Sequence, residues 1–130
     1  MRTLVVDASV VIDLLARFDA SPLDELFLDP RTLLAAPMLL DIEVLQVFRR
    51  LDRQARHPVS ASGFLDDFRA LRIQRYPHGP LLARIWELRE NLTAYDATYV
   101  ALAEALNAQL VTRDRRLAAA PLGDFKCIVP

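Results

Sequence analysis

Thr3-Leu4-Val5-Val6-Asp7-Ala8-Ser9 is the stretch from which the rest of the chain can be read. A short apolar, β-branched run stops at an aspartate, and a helical pattern begins at once. Such a run reads as a strand buried on both faces. In open α/β sheets ligands bind beyond the carboxyl ends of the strands, and Asp7 stands at that place. Near the far end, Gln109-Leu110-Val111-Thr112 is a second such run, and it leads into Asp114. Two acids at like ends of two strands suggest a site built across a sheet.

Between these strands the pattern alternates. Ser9 to Phe18 reads as a helix with Val10, Val11, Leu14, Leu15 and Phe18 in one stripe. Ser9 has two readings, a helix cap or a group that holds Asp7; on its own the cap is favoured. Asp13 falls on the polar side as a solvated charge. Asp19 to Asp29 holds a short second helix behind the Ser21-Pro22 start signal. Thr32 to Ala36 is a short strand ended by Pro37. From Pro37 to Arg56 a long helix follows, with Leu40, Val44, Val47, Phe48 and Leu51 as its buried stripe. Arg49, Arg50, Arg53 and Arg56 crowd its other faces. After the His57-Pro58-Val59 break, Ser60 opens a helix to Leu71, and Ile73 to Tyr76 is a short strand. His78-Gly79-Pro80 is a turn, and the next helix carries Leu81, Leu82, Ile85, Trp86 and Leu88. Asp96 to Asn107 is an alanine-rich helix suited to close packing on a sheet. Arg113 to Ala119 is a last small helix, and Phe125 to Val129 an edge strand. Strands alternating with helices imply a mostly parallel sheet flanked by helices.

The bulk numbers are consistent with this. A chain of 130 residues with 53% hydrophobic content is expected to be one domain, 1–130, with a proper core. A net charge of −1 excludes a globally basic nucleic-acid binder. Lys126 is the only lysine among 16 basic residues. The lone cysteine, Cys127, excludes an internal disulfide and fits a reducing compartment. The first residues do not form a signal peptide, because Asp7 interrupts the apolar run, and no apolar run reaches the ~20 residues of a membrane span. A cytoplasmic protein is expected. His57 and His78 both lie beside prolines in expected turns, have no metal-ligand partner at helical spacing, and are read as surface residues.

Two further acids join the strand-end pair. Glu43 lies three residues after Leu40 and four before Val47, so it points with the apolar stripe. A lone buried carboxylate is costly and is usually paired, protonated or metal-bound. The plainer reading puts Glu43 at the stripe's edge, reaching solvent or an arginine. Asp96 opens a helix three residues after Thr93, a spacing that resembles a capping box, so it is evenly a cap or a site residue. If Asp7, Glu43, Asp96 and Asp114 converge, their repulsion needs a counter-charge. All-oxygen ligation selects Mg2+ or Mn2+ over zinc, and a carboxylate-held ion pair suits phosphodiester hydrolysis by activated water. Removing four acids from a net charge of −1 leaves +3 on the rest of the chain. Arg113, Arg115 and Arg116 flank Asp114 and are candidates for phosphate contacts; their plainer reading is surface charge.

These pieces together resemble the PIN-domain family, and within it the VapC-type toxin ribonucleases of bacterial toxin–antitoxin pairs. The resemblance rests on Val5-Val6-Asp7-Ala8-Ser9, on Glu43, on Thr93-Ala94-Tyr95-Asp96-Ala97-Thr98-Tyr99-Val100-Ala101-Leu102-Ala103, and on Leu110-Val111-Thr112-Arg113-Asp114-Arg115-Arg116-Leu117, in that order over the whole chain. It implies a three-layer sandwich with a mostly parallel sheet and Mg2+- or Mn2+-dependent endoribonuclease activity on tRNA or rRNA. It also implies a homodimer and a cognate antitoxin whose tail crosses the active-site groove. Carried over by motif, Asp7, Glu43, Asp96 and Asp114 are catalytic metal ligands, with Ser9 and Thr112 supporting them. Leu117 stands where some members carry one more acid. Two rivals remain. A non-catalytic PIN-like protein-binding module would keep the fold without cleavage. An aspartyl phosphotransfer enzyme also begins with a strand and an aspartate, but Ser9 replaces the second acid of one such pattern and the sole lysine is poorly placed for another.

Overall fold

In a computed structural model of the chain, residues 1–16, 21–54, 61–120 and 126–130 are described. β1 (Arg2–Val6) lies at the centre of a five-stranded sheet. The others are β2 (Thr32–Pro37), β3 (Ile73–Tyr76), β4 (Gln109–Val111) and β5 (Cys127–Ile128), in the order β3-β2-β1-β4-β5. Every neighbouring pair is parallel. Parallel neighbours need long crossovers, and helices supply them: α1 (Ala8–Ala16), α2 (Ser21–Leu28), α3 (Leu39–Gln54), α4 (Ala61–Ala70), α5 (Leu82–Glu87), α6 (Ala94–Ala105) and α7 (Arg115–Ala118). The expected α/β sandwich is therefore the observed one, and the last strand does lie at the sheet edge.

The strand sequences explain the layers. Side chains alternate between the two faces of a strand. Leu4 and Val6 of β1, Leu34 and Ala36 of β2, and Val111 of β4 face one core with α1, α3 and α4, where Val10, Val11, Val44, Phe48 and Phe68 are buried. Val5, Ala35 and Leu110 face the other, where Leu81, Leu88, Val100 and Leu117 meet them. Each fully buried Val or Leu contributes about 1.5–3 kcal/mol. α6 is buried from Ala97 through Ala103 and packs on β1, β2 and β4. Its alanines permit that approach.

Several helix boundaries differ from the sequence reading. Pro37 ends β2, paired with Tyr76, so α3 opens at Leu39. His78 is not a plain surface residue: its Nε2 accepts the Leu39 N–H at 2.9 Å, satisfying a donor that a helix start leaves free. Thr93 caps α6, which therefore begins at Ala94. Asn107, at φ 50°, ends it, and Asn tolerates that left-handed conformation better than most residues. The turn after β3 is a 3-10 segment, Gly79–Leu81, before α5. Phe18, Asp19, Arg56, His57, Pro58, Val59, Ser60 and Phe125, used in the sequence reading, lie outside the described residues. Among the described residues no helix is long and apolar enough to cross a membrane.

Candidate metal-binding and nuclease site

The chain steps outward from β1 through β2 to β3, then returns to place β4 on the other side of β1. The reversal between β1 and β4 is a topological switch point, where such sheets open a crevice beyond the strand ends. Asp7 follows β1 there, and Thr112 and Asp114 follow β4.

Asp7 is buried, at 8% exposure. Its Oδ1 accepts from the Ser9 hydroxyl at 2.5 Å and from the Val10 N–H at 3.3 Å. Its Oδ2 accepts from the Thr112 hydroxyl. Asp7 is thus itself the cap of α1. Ser9 lies inside the first turn and holds Asp7, so of its two readings the structure favours the second. The same two hydroxyls also bind the loop after β4. Ser9 Oγ accepts the Arg113 N–H and Thr112 Oγ1 accepts the Asp114 N–H, both at 3.0 Å. Burial pushes the Asp7 carboxyl above its ordinary range, and the hydrogen bonds from Ser9, Thr112 and Val10 pull the other way without cancelling it.

Glu43 reaches this crevice from α3, in one helical layer. Asp96 comes from the first turn of α6, in the other. Glu43 meets neither an arginine nor open solvent alone: it is half-buried and accepts from the Tyr99 hydroxyl at 2.5 Å. Its carboxyl is raised by burial, and further by the charges of Asp7 and Asp96, while Tyr99 lowers it. Asp96 is raised by burial and by Asp114, against a hydrogen bond with Thr93 and the charge of Arg116. The Asp96 N–H donates to Thr93 Oγ1 at 3.2 Å, as the capping reading expects, and its carboxyl lies within the influence of Asp114. Asp114 caps α7, accepting from the Arg116 and Leu117 N–H groups at 2.9 and 3.3 Å. Leu117 is buried in the second core and offers no ligand.

The three arginines divide. Arg113 Nε stands 2.9 Å from Asp13, and its Nη1 donates to the Pro130 carbonyl at 2.5 Å. Asp13 is accordingly an ion-pair partner and not a solvated charge. Arg115 and Arg116 are exposed, and Arg116 Nε lies 3.8 Å from Asp114. Tyr99 escaped the sequence reading as an individual residue. Its signal was a hydroxyl-bearing side chain one turn beyond Asp96, inside a buried run.

Among the four acids, the charges of Asp7 and Asp96 raise Glu43, and that of Asp114 raises Asp96. Their hard oxygen donors and mutual repulsion fit a divalent cation by charge and by softness. As the side chains stand, no three metal-ligating groups among the described residues lie close enough to hold one ion together.

A parallel 3-2-1-4-5 sheet with acids at its switch point defines the class, an α/β domain with a carboxylate-lined crevice. The PIN domain model matches residues 4–122, and the chain belongs to the PIN-domain family. Ribonuclease VapC1 of Mycobacterium tuberculosis is 44% identical over 129 residues, covering 93% of this chain and 92% of that protein. Ribonuclease VapC3 of the same organism is 37% identical over 118 residues, covering 90% and 86%. Among solved structures, PAE2754 from Pyrobaculum aerophilum superposes with a TM-score of 0.69 at 28% identity, covering 98% of this chain and 84% of that one. VapBC2 from Rickettsia felis, bound to a promoter DNA fragment, gives 0.73 at 16% identity over 97% of both chains, a likeness of fold alone.

Proposed function

We propose that this protein is a metal-dependent endoribonuclease and the toxin of a toxin–antitoxin pair. The observation that carries the reading is the placement of Asp7, Glu43, Asp96 and Asp114, from the strand ends and both helical layers, such that the charges of Asp7 and Asp96 act on Glu43 and that of Asp114 acts on Asp96. The names of the relatives, ribonucleases VapC1 and VapC3, support RNA as substrate. The VapBC2 complex and a Klebsiella pneumoniae toxin–antitoxin complex of the same fold support an antitoxin partner.

In this reading the four carboxylates hold Mg2+ or Mn2+. When bound, such ions supply an activated water and steady the leaving oxygen of a phosphodiester. The protein's own groups do the rest. Ser9 and Thr112 fix both oxygens of Asp7 and tie them to the loop that carries Asp114. Arg115 and Arg116 offer exposed guanidinium groups to phosphates beside the crevice; Arg113 is held by Asp13 and Pro130. A homodimer that acts in the cytoplasm and is held in check by its antitoxin completes the proposal.

The test is to incubate the purified chain with mixed tRNA and rRNA in Mn2+, Mg2+ or EDTA. Discrete fragments that vanish in EDTA are expected. Intact RNA under every condition would favour the non-catalytic binding module.

A further inference from the structure

Tyr99 is buried, at 2% exposure, yet its hydroxyl lies 2.5 Å from Glu43 Oε1. Tyr99 and Asp96 are three residues apart on α6, so they share a face. One helix therefore presents an acid to the crevice and also grips the acid that arrives from the opposite layer. α6 packs on β1, β2 and β4, which leaves the phenol little freedom to follow Glu43 if it moves. Oε1 of Glu43 carries a proton donor; Oε2 carries none among the described residues. Breaking the contact would strand a largely buried hydroxyl, which opposes its loss.

We propose that Tyr99 sets which ion the site accepts: by drawing on a lone pair of Oε1 and holding that oxygen in place, it leaves Oε2 the freer ligand of Glu43 and so disfavours ions that take both oxygens. Mg2+ and Mn2+ are octahedral and take single carboxylate oxygens readily. Ca2+ is larger, takes six to eight oxygens, and commonly uses both oxygens of one carboxylate. Tyr99 is a positioning residue in this account, acting through Glu43. The inference rests on the metal-site reading above.

The experiment titrates the full chain with Mn2+ and, separately, with Ca2+ by calorimetry, for the wild type, Tyr99→Phe, Glu43→Gln and the double variant. The wild type is expected to prefer Mn2+. Tyr99→Phe is expected to narrow that preference roughly fivefold, the size of one lost hydrogen bond, through tighter Ca2+ binding. In the Glu43→Gln background, Tyr99→Phe is expected to leave the ratio unchanged. Glu43→Asp, which shortens the carboxylate away from the phenol without touching the core, should narrow the ratio as well and serves if Tyr99→Phe does not fold. Loosened packing alone would weaken both ions together, so an unchanged ratio overturns the proposal. An equal shift in the Glu43→Gln background also overturns it. Failure of the wild type to bind either ion would overturn the metal-site reading itself, and this proposal with it.

Discussion

The hydroxyl of Thr112 donates to Asp7 Oδ2 across the seam between β1 and β4, and Thr112 Oγ1 itself accepts the N–H of Asp114. Thr112 is fully buried. One side chain therefore sets the spacing between the two strand-end acids. Thr112→Val keeps the shape but removes both hydrogen bonds. It is expected to cost about 1–3 kcal/mol in urea unfolding with EDTA present, as stranded buried polar groups do. Thr112→Ser should recover most of that. Equal stability of Val and Ser variants would contradict the bridging role.

The raised carboxyls make a signed prediction for the metal-free chain. Asp7 and Asp96 are raised from 3.8, and Glu43 from 4.5. Over that window the folded chain holds more protons than the unfolded one, so stability must fall as pH rises. The contribution is fully present below the ordinary carboxylate values and lost as pH climbs through the raised ones. Thermal melts in EDTA from the ordinary carboxylate range, about pH 4, upward should therefore decline more steeply for the wild type than for Glu43→Gln with Asp96→Asn. Parallel curves would show that burial and neighbouring charge do not raise these carboxyls in the folded chain.

Arg113 and its neighbours should separate by experiment. The Arg113–Asp13 pair is shielded on both sides, with side-chain exposures of 21% and 25%. Arg113→Ala is expected to cost about 1–3 kcal/mol through loss of charge-assisted contacts. Arg115→Ala and Arg116→Ala should stay within about 0.5 kcal/mol, as exposed substitutions do. They should instead weaken RNA binding and flatten its salt dependence. A stability loss at Arg115 as large as that at Arg113 would defeat the division.

His78 provides a further check on the frame that carries Glu43. Its acceptor nitrogen meets the first N–H of α3, one turn before Glu43. His78→Ala removes the acceptor and should cost about 0.5–2 kcal/mol, the range for lost helix caps. Urea denaturation measures it, and a neutral result would mean that the contact contributes nothing.

The parts of the fold legible in sequence are those set by local pattern. β1 and β4 were readable because both of their faces are buried, and that produces continuous apolar runs ending in acids. α3 was readable from the spacing of Leu40, Val44 and Phe48. Its start differs because Pro37, a residue type that suits the first helical position, here ends β2 opposite Tyr76. The four acids are legible as individual oddities, but their partners are not. Tyr99 and Glu43, His78 and Leu39, and Asp13 and Arg113 are distant in sequence and meet only when layers close over the sheet. No periodicity encodes such meetings. Ser9 shows the same limit: its residue type suits a cap, and only the placement of the Asp7 carboxylate, two residues earlier, reassigns it.

The most direct test of the central claim compares RNA cleavage in Mn2+ by Asp7→Asn, Glu43→Gln, Asp96→Asn and Asp114→Asn, with circular dichroism confirming that each folds. If the four acids form one metal-dependent nuclease site, each substitution alone drops cleavage to the level of the wild type in EDTA. Wild-type cleavage by folded Asp7→Asn or Asp96→Asn would contradict it.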